Sequence, residues 1–136
     1  MNLIINCLCV GAGGFIGSVA RYLLGLIPLP NAQSGCAGIA SFPFMTFAIN
    51  VIGSFAIGVI FTLATKNSAF PQQLVLFLKV GLCGGFTTFS SFSLESIQLF
   101  SAGHMVAGGL YVVGSVICCL AAMAAGSWIA SLITAR

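Results

Sequence analysis

The polar side chains that could do chemistry in this sequence stand inside long apolar runs, and most of them are amides or hydroxyls rather than charged groups. Asn50 is the only strongly polar side chain in the middle of its apolar run, Phe89 and Phe92 are spaced i, i+3, and Tyr111 and Ser115 are spaced i, i+4. On a helix, each of these pairs shares a face. An amide offers two N–H donors and an aromatic ring presents a positive edge, so these groups could receive a small anion without trapping it.

Each of these side chains also has a structural interpretation, which the residues alone leave open. Asn50 could be a hydrogen-bonding contact between helices, because an amide in a low-dielectric setting needs partners. The two phenylalanines could face lipid or pack against a neighbouring helix. Tyr111, Ser115 and Cys119 could form a polar stripe against another helix rather than a line of donors along a pore.

Ionisable residues are scarce. The basic residues are Arg21, Lys66, Lys79 and Arg136, with His104 as the one histidine and Glu95 as the one acid. This set is too small for a catalytic triad or a zinc site within one chain, and too sparse for a nucleic-acid interface. We therefore predict neither an enzyme nor a nucleic-acid partner. Arg21 could anchor its helix or attract anions at a vestibule, and Glu95 could pair with a cation or cap the wet end of its helix.

The composition places these residues in a membrane. Of 136 residues, 60% are hydrophobic and 4% are charged, against roughly 45–50% and 25% in soluble domains. A helix needs about 20 apolar residues to cross about 30 Å of hydrocarbon, so the chain has room for four spans. We predict spans at about residues 3–27, 42–64, 71–100 and 105–133, forming a single transmembrane domain over residues 1–136.

The third span is too long for one crossing, because 30 residues would reach about 45 Å as a single helix. We expect a break near its middle at Gly81, Gly84 and Gly85, where glycines can adopt positive φ and the following Thr and Ser hydroxyls can cap freed backbone groups. A break at membrane depth must be buried or line a wet cavity. A packing kink is one interpretation, and an ion site at the exposed carbonyls and N–H groups is the one we favour.

Small residues and charge placement bear on assembly. Pairs of small residues four apart predict close helix packing and favour oligomerisation. These pairs are Gly13 and Gly17, Ser54 and Gly58, and Ala122 and Gly126.

The six cysteines lack paired metal-ligand spacing, so we interpret them as small apolar residues of helix interfaces. Basic residues are only slightly in excess on one side of the alternating spans, which predicts insertion in both orientations.

Three motifs follow one another along the chain. They are Gly13-Gly-x-x-Gly17-x-x-x-Arg21-Tyr22, then Thr46-Phe-x-x-Asn50-x-x-Gly53-Ser54-Phe55, and then Gly81-Leu-Cys-Gly-Gly-Phe-Thr-Thr-Phe-Ser-Ser-Phe-Ser-Leu-Glu95. In order and spacing they resemble the CrcB-type (Fluc) fluoride channel family, and the likeness covers essentially the whole chain.

The resemblance implies an all-α integral membrane fold with four transmembrane helices per subunit and a broken third helix. It implies an antiparallel, dual-topology homodimer in the inner membrane of the cell. The function it implies is a fluoride-selective channel that passively exports fluoride from the cytoplasm and so lowers its toxicity. A structural sodium ion would lie at the dimer centre.

The resemblance also implies roles for particular residues. The fluoride pathway would comprise Asn50, Phe89, Phe92, Tyr111 and Ser115, with Asn50 as a hydrogen-bond donor and the phenylalanines as a pore-lining pair. Arg21 would belong to a vestibule. Gly84 and Thr87 would hold the sodium ion through their backbone carbonyls. Cys119 stands where a hydroxyl residue is expected.

Two other functions remain open on the residues alone. A small dual-topology multidrug exporter would have a similar size, but it needs a membrane-embedded carboxylate, and Glu95 lies late in the third span. A structural subunit of a larger membrane complex would explain the small-residue faces. It would not explain the glycine and threonine break.

Overall fold

The computed structural model describes residues 3–27, 42–67 and 70–134, and its regular elements across those ranges are all helices. They are α1 (Leu3–Gly25), α2 (Phe44–Lys66), α3 (residues 72–86), α4 (Phe89–Ser101) and α5 (Met105–Ile133). Helices α3 and α4 together form the third span. Arg136 lies outside the described residues.

The prediction of four spans is confirmed, because four helical segments are long and apolar enough to cross a membrane. They cover Leu3–Gly25, Phe44–Lys66, Gln72–Ser101 and Met105–Ile133, each within a few residues of the predicted bounds. The chain is therefore a multi-pass membrane protein. The many exposed leucine, isoleucine, valine and phenylalanine side chains on these helices are what a lipid-facing surface requires, since hydrocarbon rather than water surrounds them.

The third span is interrupted as predicted, but not where or how the glycines suggested. Thr87 (φ −81°, ψ 157°) and Thr88 (φ −149°, ψ 115°) are extended and separate α3 from α4. Gly84 is helical (φ −64°, ψ −37°), and within the described ranges the one positive φ is at Gly103. The expectation that glycines at positive φ would open the helix is therefore wrong. The glycines continue the helix, and the two threonines end it.

Helix α3 changes its winding before it reaches the break. It begins as an α-helix at Gln72–Val75, runs as a π-helix over Leu76–Cys83 and returns to α-helical geometry at Gly84–Phe86. A π-helix has i→i+5 hydrogen bonds, and such segments inside α-helices are frequent at functional sites. This segment is the part of the third span against which α1 packs most extensively.

The glycines of α1 and α3 allow the two backbones to touch. A Cβ added at Gly13 would lie 2.3 Å from the carbonyl oxygen of Phe77, and one at Gly17 would lie 2.1 Å from that of Leu82. From the other side, a Cβ at Gly85 would lie 2.5 Å from the carbonyl oxygen of Gly14. The predicted close approach of helices is confirmed here, and it explains why these positions are small.

Helices α2 and α5 form the second closely packed pair. A Cβ at Gly58 would lie 2.2 Å from the carbonyl oxygen of Met123, and one at Gly126 would lie 2.3 Å from that of Phe55. Beyond the break, α4 packs on α5 through a buried cluster of Phe92, Leu99, Ala107 and Tyr111.

Candidate functional site

Asn50 of α2 pairs with both backbone groups of Thr88 at the break. Its Oδ1 accepts a hydrogen bond from the Thr88 N–H at 2.8 Å, and its Nδ2 donates to the Thr88 carbonyl oxygen at 3.1 Å. The backbone at Thr88 is extended rather than helical. The side-chain amide of Asn50 therefore replaces the hydrogen-bond partners that a continuous helix would supply. Asn50 is therefore a contact between spans, and its amide retains a second N–H beyond the one given to Thr88.

Hydroxyl groups cap the two helix ends at the break. Thr88 is the N-cap of α4, and its Oγ1 accepts from the Ser91 N–H at 3.2 Å. Thr87 Oγ1 donates to the Cys83 carbonyl oxygen at 2.9 Å, at the end of α3. The predicted capping by hydroxyls is confirmed at these residues. An N-cap of this type contributes about 1 kcal/mol to helix stability.

A cavity of about 240 Å³ lies beside the break, and we call it the break cavity. It brings together Asn50 from α2, Phe89 and Phe92 from α4, and Ser115 from α5. Its other lining residues are Ser54, Ile57, Thr87, Thr88, Val116 and Cys119, and no charged side chain is among those described around it. Four of the five residues assigned by resemblance to an ion pathway therefore share one uncharged cavity.

The two phenylalanines of the break cavity differ sharply in exposure. Their ring centroids lie 5.4 Å apart with the planes tilted by 42°. Phe92 is 9% exposed, whereas Phe89 is 78% exposed at the surface of the subunit. Phe92 therefore lies in the protein interior, and Phe89 lies at the open edge of the same cavity. Tilted rings can turn their positive edges toward a shared guest.

Ser115 has no partner for its hydroxyl. The residue is 5% exposed, and its Oγ is one of two buried side-chain polar atoms without a hydrogen bond in the described part of the chain, the other being Asn6 Oδ1 on α1. Leaving a buried hydroxyl unpaired costs free energy, of the order of 1–3 kcal/mol. Since Ser115 lines the break cavity, a molecule or ion in that cavity can supply the missing partner.

Tyr111 does not line the break cavity. It is fully buried, and its hydroxyl donates to Glu95 Oε2 at 2.6 Å, while its ring lies 5.3 Å from that of Phe92. The other carboxyl oxygen, Oε1, accepts from Thr46 Oγ1 at 2.7 Å. The structure therefore places Tyr111 behind the phenylalanine, as a support for Glu95.

Two hydroxyls, those of Thr46 and Tyr111, hold the carboxyl group of Glu95. No hydrogen bond from a basic side chain reaches this carboxyl group within the described ranges, and the two roles that the sequence left open for Glu95 stay predictions. Thr46 was not among the residues predicted from the sequence to have a functional role. Thr46 lies four residues before Asn50, so both side chains are on one face of α2. This spacing is the feature of the sequence that could have indicated a role for Thr46.

Arg21 caps the end of α3. Its Nε donates to the Gly85 carbonyl oxygen at 3.1 Å, and Ser18 Oγ approaches the same oxygen at 3.5 Å. A cation at a helix C-terminus is favourable, because the unpaired carbonyls there carry partial negative charge. Arg21 also lines a second cavity of about 360 Å³ with Thr46, Ser91 and Glu95. Thr88 lines both cavities, so the two cavities adjoin each other at the break.

The resemblance assigns a sodium ion to the backbone carbonyls of Gly84 and Thr87, which lie at the break between α3 and α4. The Thr88 N–H bonds to Asn50 rather than to the Gly84 carbonyl, as it would in a continuous helix. Gly84 is exposed, and the space beyond its Cα is open. No group of three or more His, Cys, Asp or Glu residues could hold a metal in the part of the chain that the structure describes. A cation at this place would depend on backbone oxygens, which suit Na⁺ and other hard cations.

Comparisons with known proteins agree on one family. The family model for "CrcB-like protein, Camphor Resistance (CrcB)" matches residues 8–127. A "Fluoride-specific ion channel FluC" of Chlorobaculum tepidum is 45% identical over 127 residues, 93% of this chain and 95% of that protein. Proteins of the same name are 46% identical over 122 residues in Rhizobium etli (90% and 93% covered) and 39% identical over 133 residues in Ruminiclostridium cellulolyticum (98% of each).

Proposed function

Because the chain belongs to the CrcB-like family, we propose that it is a fluoride-selective ion channel. Its family is one of ion channels and not of enzymes. The similar proteins named above extend over nearly the whole chain, so the likeness includes every span and the break. Their names do not support the multidrug exporter or the structural subunit that the residues alone left open.

The observation that best supports this proposal is the convergence of neutral donors in the break cavity. Asn50 has a second N–H, Ser115 has an unpaired hydroxyl, and Phe89 and Phe92 have ring edges with positive potential. Fluoride is a small anion that must exchange its water shell for such donors. Neutral donors favour entry without the strong attraction of a fixed positive charge, so the ion can leave again.

The second cavity would be the vestibule of this channel. Arg21 lines it and would raise the local concentration of anions, while its Nε remains bound to the Gly85 carbonyl. Glu95 lines the same cavity but accepts hydrogen bonds from Thr46 and Tyr111. We propose that fluoride passes from this vestibule to the break cavity at Thr88, which lines both.

We also propose an antiparallel homodimer with dual topology. The exposed ring of Phe89 stands at the open edge of the break cavity, so a second subunit could complete that wall. The slight excess of basic residues on one side gives little orientation preference. The mass of the detergent-solubilised protein and labelling of its N-terminus from both membrane faces test this assembly. A monomer, or labelling from one face alone, would contradict it.

In such a dimer, we propose that the Gly84 and Thr87 carbonyls hold a structural sodium ion. A cation there would neutralise the carbonyl end of α3, which Arg21 caps in part.

We propose that the channel exports fluoride from the cytoplasm across the inner membrane and so lowers the toxicity of fluoride. Loss of fluoride tolerance on deletion of the gene from its host tests that role.

Fluoride efflux from proteoliposomes tests the channel directly. Vesicles loaded with fluoride and chloride are given a potassium ionophore to clamp the potential, and ion-selective electrodes follow both anions. We expect rapid loss of fluoride with chloride retained. We expect Phe92→Leu to lower fluoride efflux toward the rate of protein-free vesicles, because leucine keeps the apolar bulk but has no positive ring edge.

Phe15→Leu is the matched control for this substitution. Phe15 lies on α1, is 72% exposed and is not among the residues that line the break cavity. We expect its efflux to equal that of the wild type. No fluoride efflux from the well-folded wild-type protein would overturn the proposed function. Equal efflux from the Phe92 variant and the wild type would show that fluoride flow does not depend on the ring of Phe92.

A further inference from the structure

One side chain of the break cavity differs in chemistry from all the others. Cys119 lines the cavity and is half-buried. The remaining described cysteines are Cys7, Cys9, Cys83 and Cys118, and none of them is among the residues that line this cavity. Cys118 is the immediate neighbour of Cys119, but it is exposed on the outer surface of α5. The chain therefore presents a thiol to the cavity in which the neutral donors converge.

The cavity next to this thiol is built to receive a guest. Ser115 lies one turn before Cys119 on α5 and lines the same cavity. Its buried hydroxyl has no partner in the described structure, and a buried polar group without a partner is a cost that a guest or water would remove. This second observation places a free hydroxyl, able to bind a polar species, one turn from Cys119 in the same cavity.

We propose that Cys119 is a modification site inside the conduction pathway, at which covalent addition to the sulfur blocks fluoride flow. The ligand class is a small, uncharged, thiol-reactive electrophile that fits a cavity of about 240 Å³. This inference rests on the proposed function for its effect on fluoride flow. The presence of the modification site itself does not depend on that function.

Methyl methanethiosulfonate is a suitable probe because it adds only a methylthio group. The Cys119 thiol loses its proton to water, and the thiolate attacks the sulfenyl sulfur of the reagent. A new S–S bond forms, the bond between the two sulfurs of the reagent breaks, and methanesulfinate leaves with the electron pair. The product is a mixed disulfide whose methyl group projects into the cavity. A dithiol reductant reverses the reaction.

The test compares wild-type protein with Cys119→Ser and Cys118→Ser in fluoride-loaded vesicles. Peptide mass mapping gives the site of labelling, and fluoride electrodes give the efflux. We expect the reagent to label Cys119 and abolish efflux in the wild type, and dithiothreitol to restore it. Cys119→Ser removes the thiol, so the reagent should leave its efflux at the rate of the same variant without reagent. Cys118→Ser, the matched control, should be blocked like the wild type.

The two measurements separate this inference from the proposed function. Full efflux from protein that is labelled at Cys119 would overturn the block, and no labelling of Cys119 under conditions that label Cys118 would overturn the site. Block of Cys119→Ser by the reagent would assign the effect to another cysteine and would also overturn the inference. A wild-type protein that never conducts fluoride would contradict the proposed function, and labelling would then still decide whether Cys119 is a modification site.

Discussion

Asn50→Asp should abolish fluoride efflux while the protein remains folded in the membrane. The wild-type amide gives one N–H to the Thr88 carbonyl and accepts from the Thr88 N–H, which leaves one N–H for an anion. A protonated aspartate has a single O–H, which the Thr88 carbonyl can occupy, and an ionised aspartate has no donor and repels fluoride. In both protonation states the free donor is lost.

The size of this effect follows from the bond that is removed. A hydrogen bond to a charged group contributes about 1.5–3 kcal/mol, so efflux should fall at least about tenfold even without the repulsion between charges. The measurement is fluoride efflux per unit of reconstituted protein. Size-exclusion chromatography in detergent checks that the variant folds, since one oxygen of the aspartate can still accept from the Thr88 N–H.

Gln73→Glu is the matched control for this change from amide to carboxyl. Gln73 is exposed in the first turn of α3 and does not line either cavity at the break. An acid in the first turn of a helix is tolerated or favourable. Its efflux should equal that of the wild type. Wild-type efflux from Asn50→Asp would show that fluoride does not depend on this side chain.

Gly17→Ala should destabilise the protein, although it adds a single methyl group. An ideal Cβ at Gly17 would lie 2.1 Å from the carbonyl oxygen of Leu82 and 2.8 Å from the Phe86 nitrogen, and both of these are backbone atoms. Backbone cannot rotate away as a flexible side chain can, so α1 and α3 must separate. Overpacking of this kind costs about 1–3 kcal/mol or more. A lower thermal midpoint of unfolding in detergent is the expected result.

Gly11→Ala on the same helix should leave the thermal midpoint of unfolding unchanged or raise it slightly. A Cβ at Gly11 meets no atom within 4 Å, and the residue is exposed. Alanine in a helix is more favourable than glycine by about 0.5–1 kcal/mol, so this variant should be as stable as the wild type or slightly more stable. Equal midpoints for the two variants would contradict the assignment of Gly17 to a contact between backbones.

The spans and the small-residue contacts could be predicted from the sequence because they follow from local rules. Apolar length defines a membrane helix, and pairs such as Gly13 and Gly17 indicate close packing without reference to the rest of the fold. The grouping of Asn50 with Phe89, Phe92 and Ser115 was also predicted, but from family resemblance. Spacing alone left each of these residues with a structural alternative.

The remaining features depend on contacts between distant segments, which one sequence does not reveal. The break lies at two threonines rather than at the glycines, because Asn50 from another span pairs with Thr88. Tyr111 lies one turn before Ser115 on the same face of α5, yet its hydroxyl donates to Glu95, which is 16 residues away in the sequence. Helical periodicity indicates which residues share a face of one helix, but it does not identify the partner that each of them contacts on another span.

The pairing of Asn50 with Thr88 has a consequence for the order of folding. Membrane helices insert first and pack afterwards. Before α2 packs against it, the third span lacks the amide that replaces its helical hydrogen bonds, so the unpaired Thr88 N–H would turn to the Gly84 carbonyl. We infer that residues 72–101 insert as one helix of about 45 Å, which tilts and extends at its ends beyond the hydrocarbon, and that the helix opens only on assembly. A peptide of residues 72–101 in lipid should therefore be helical through Thr88, and extended backbone there in solid-state NMR would contradict this.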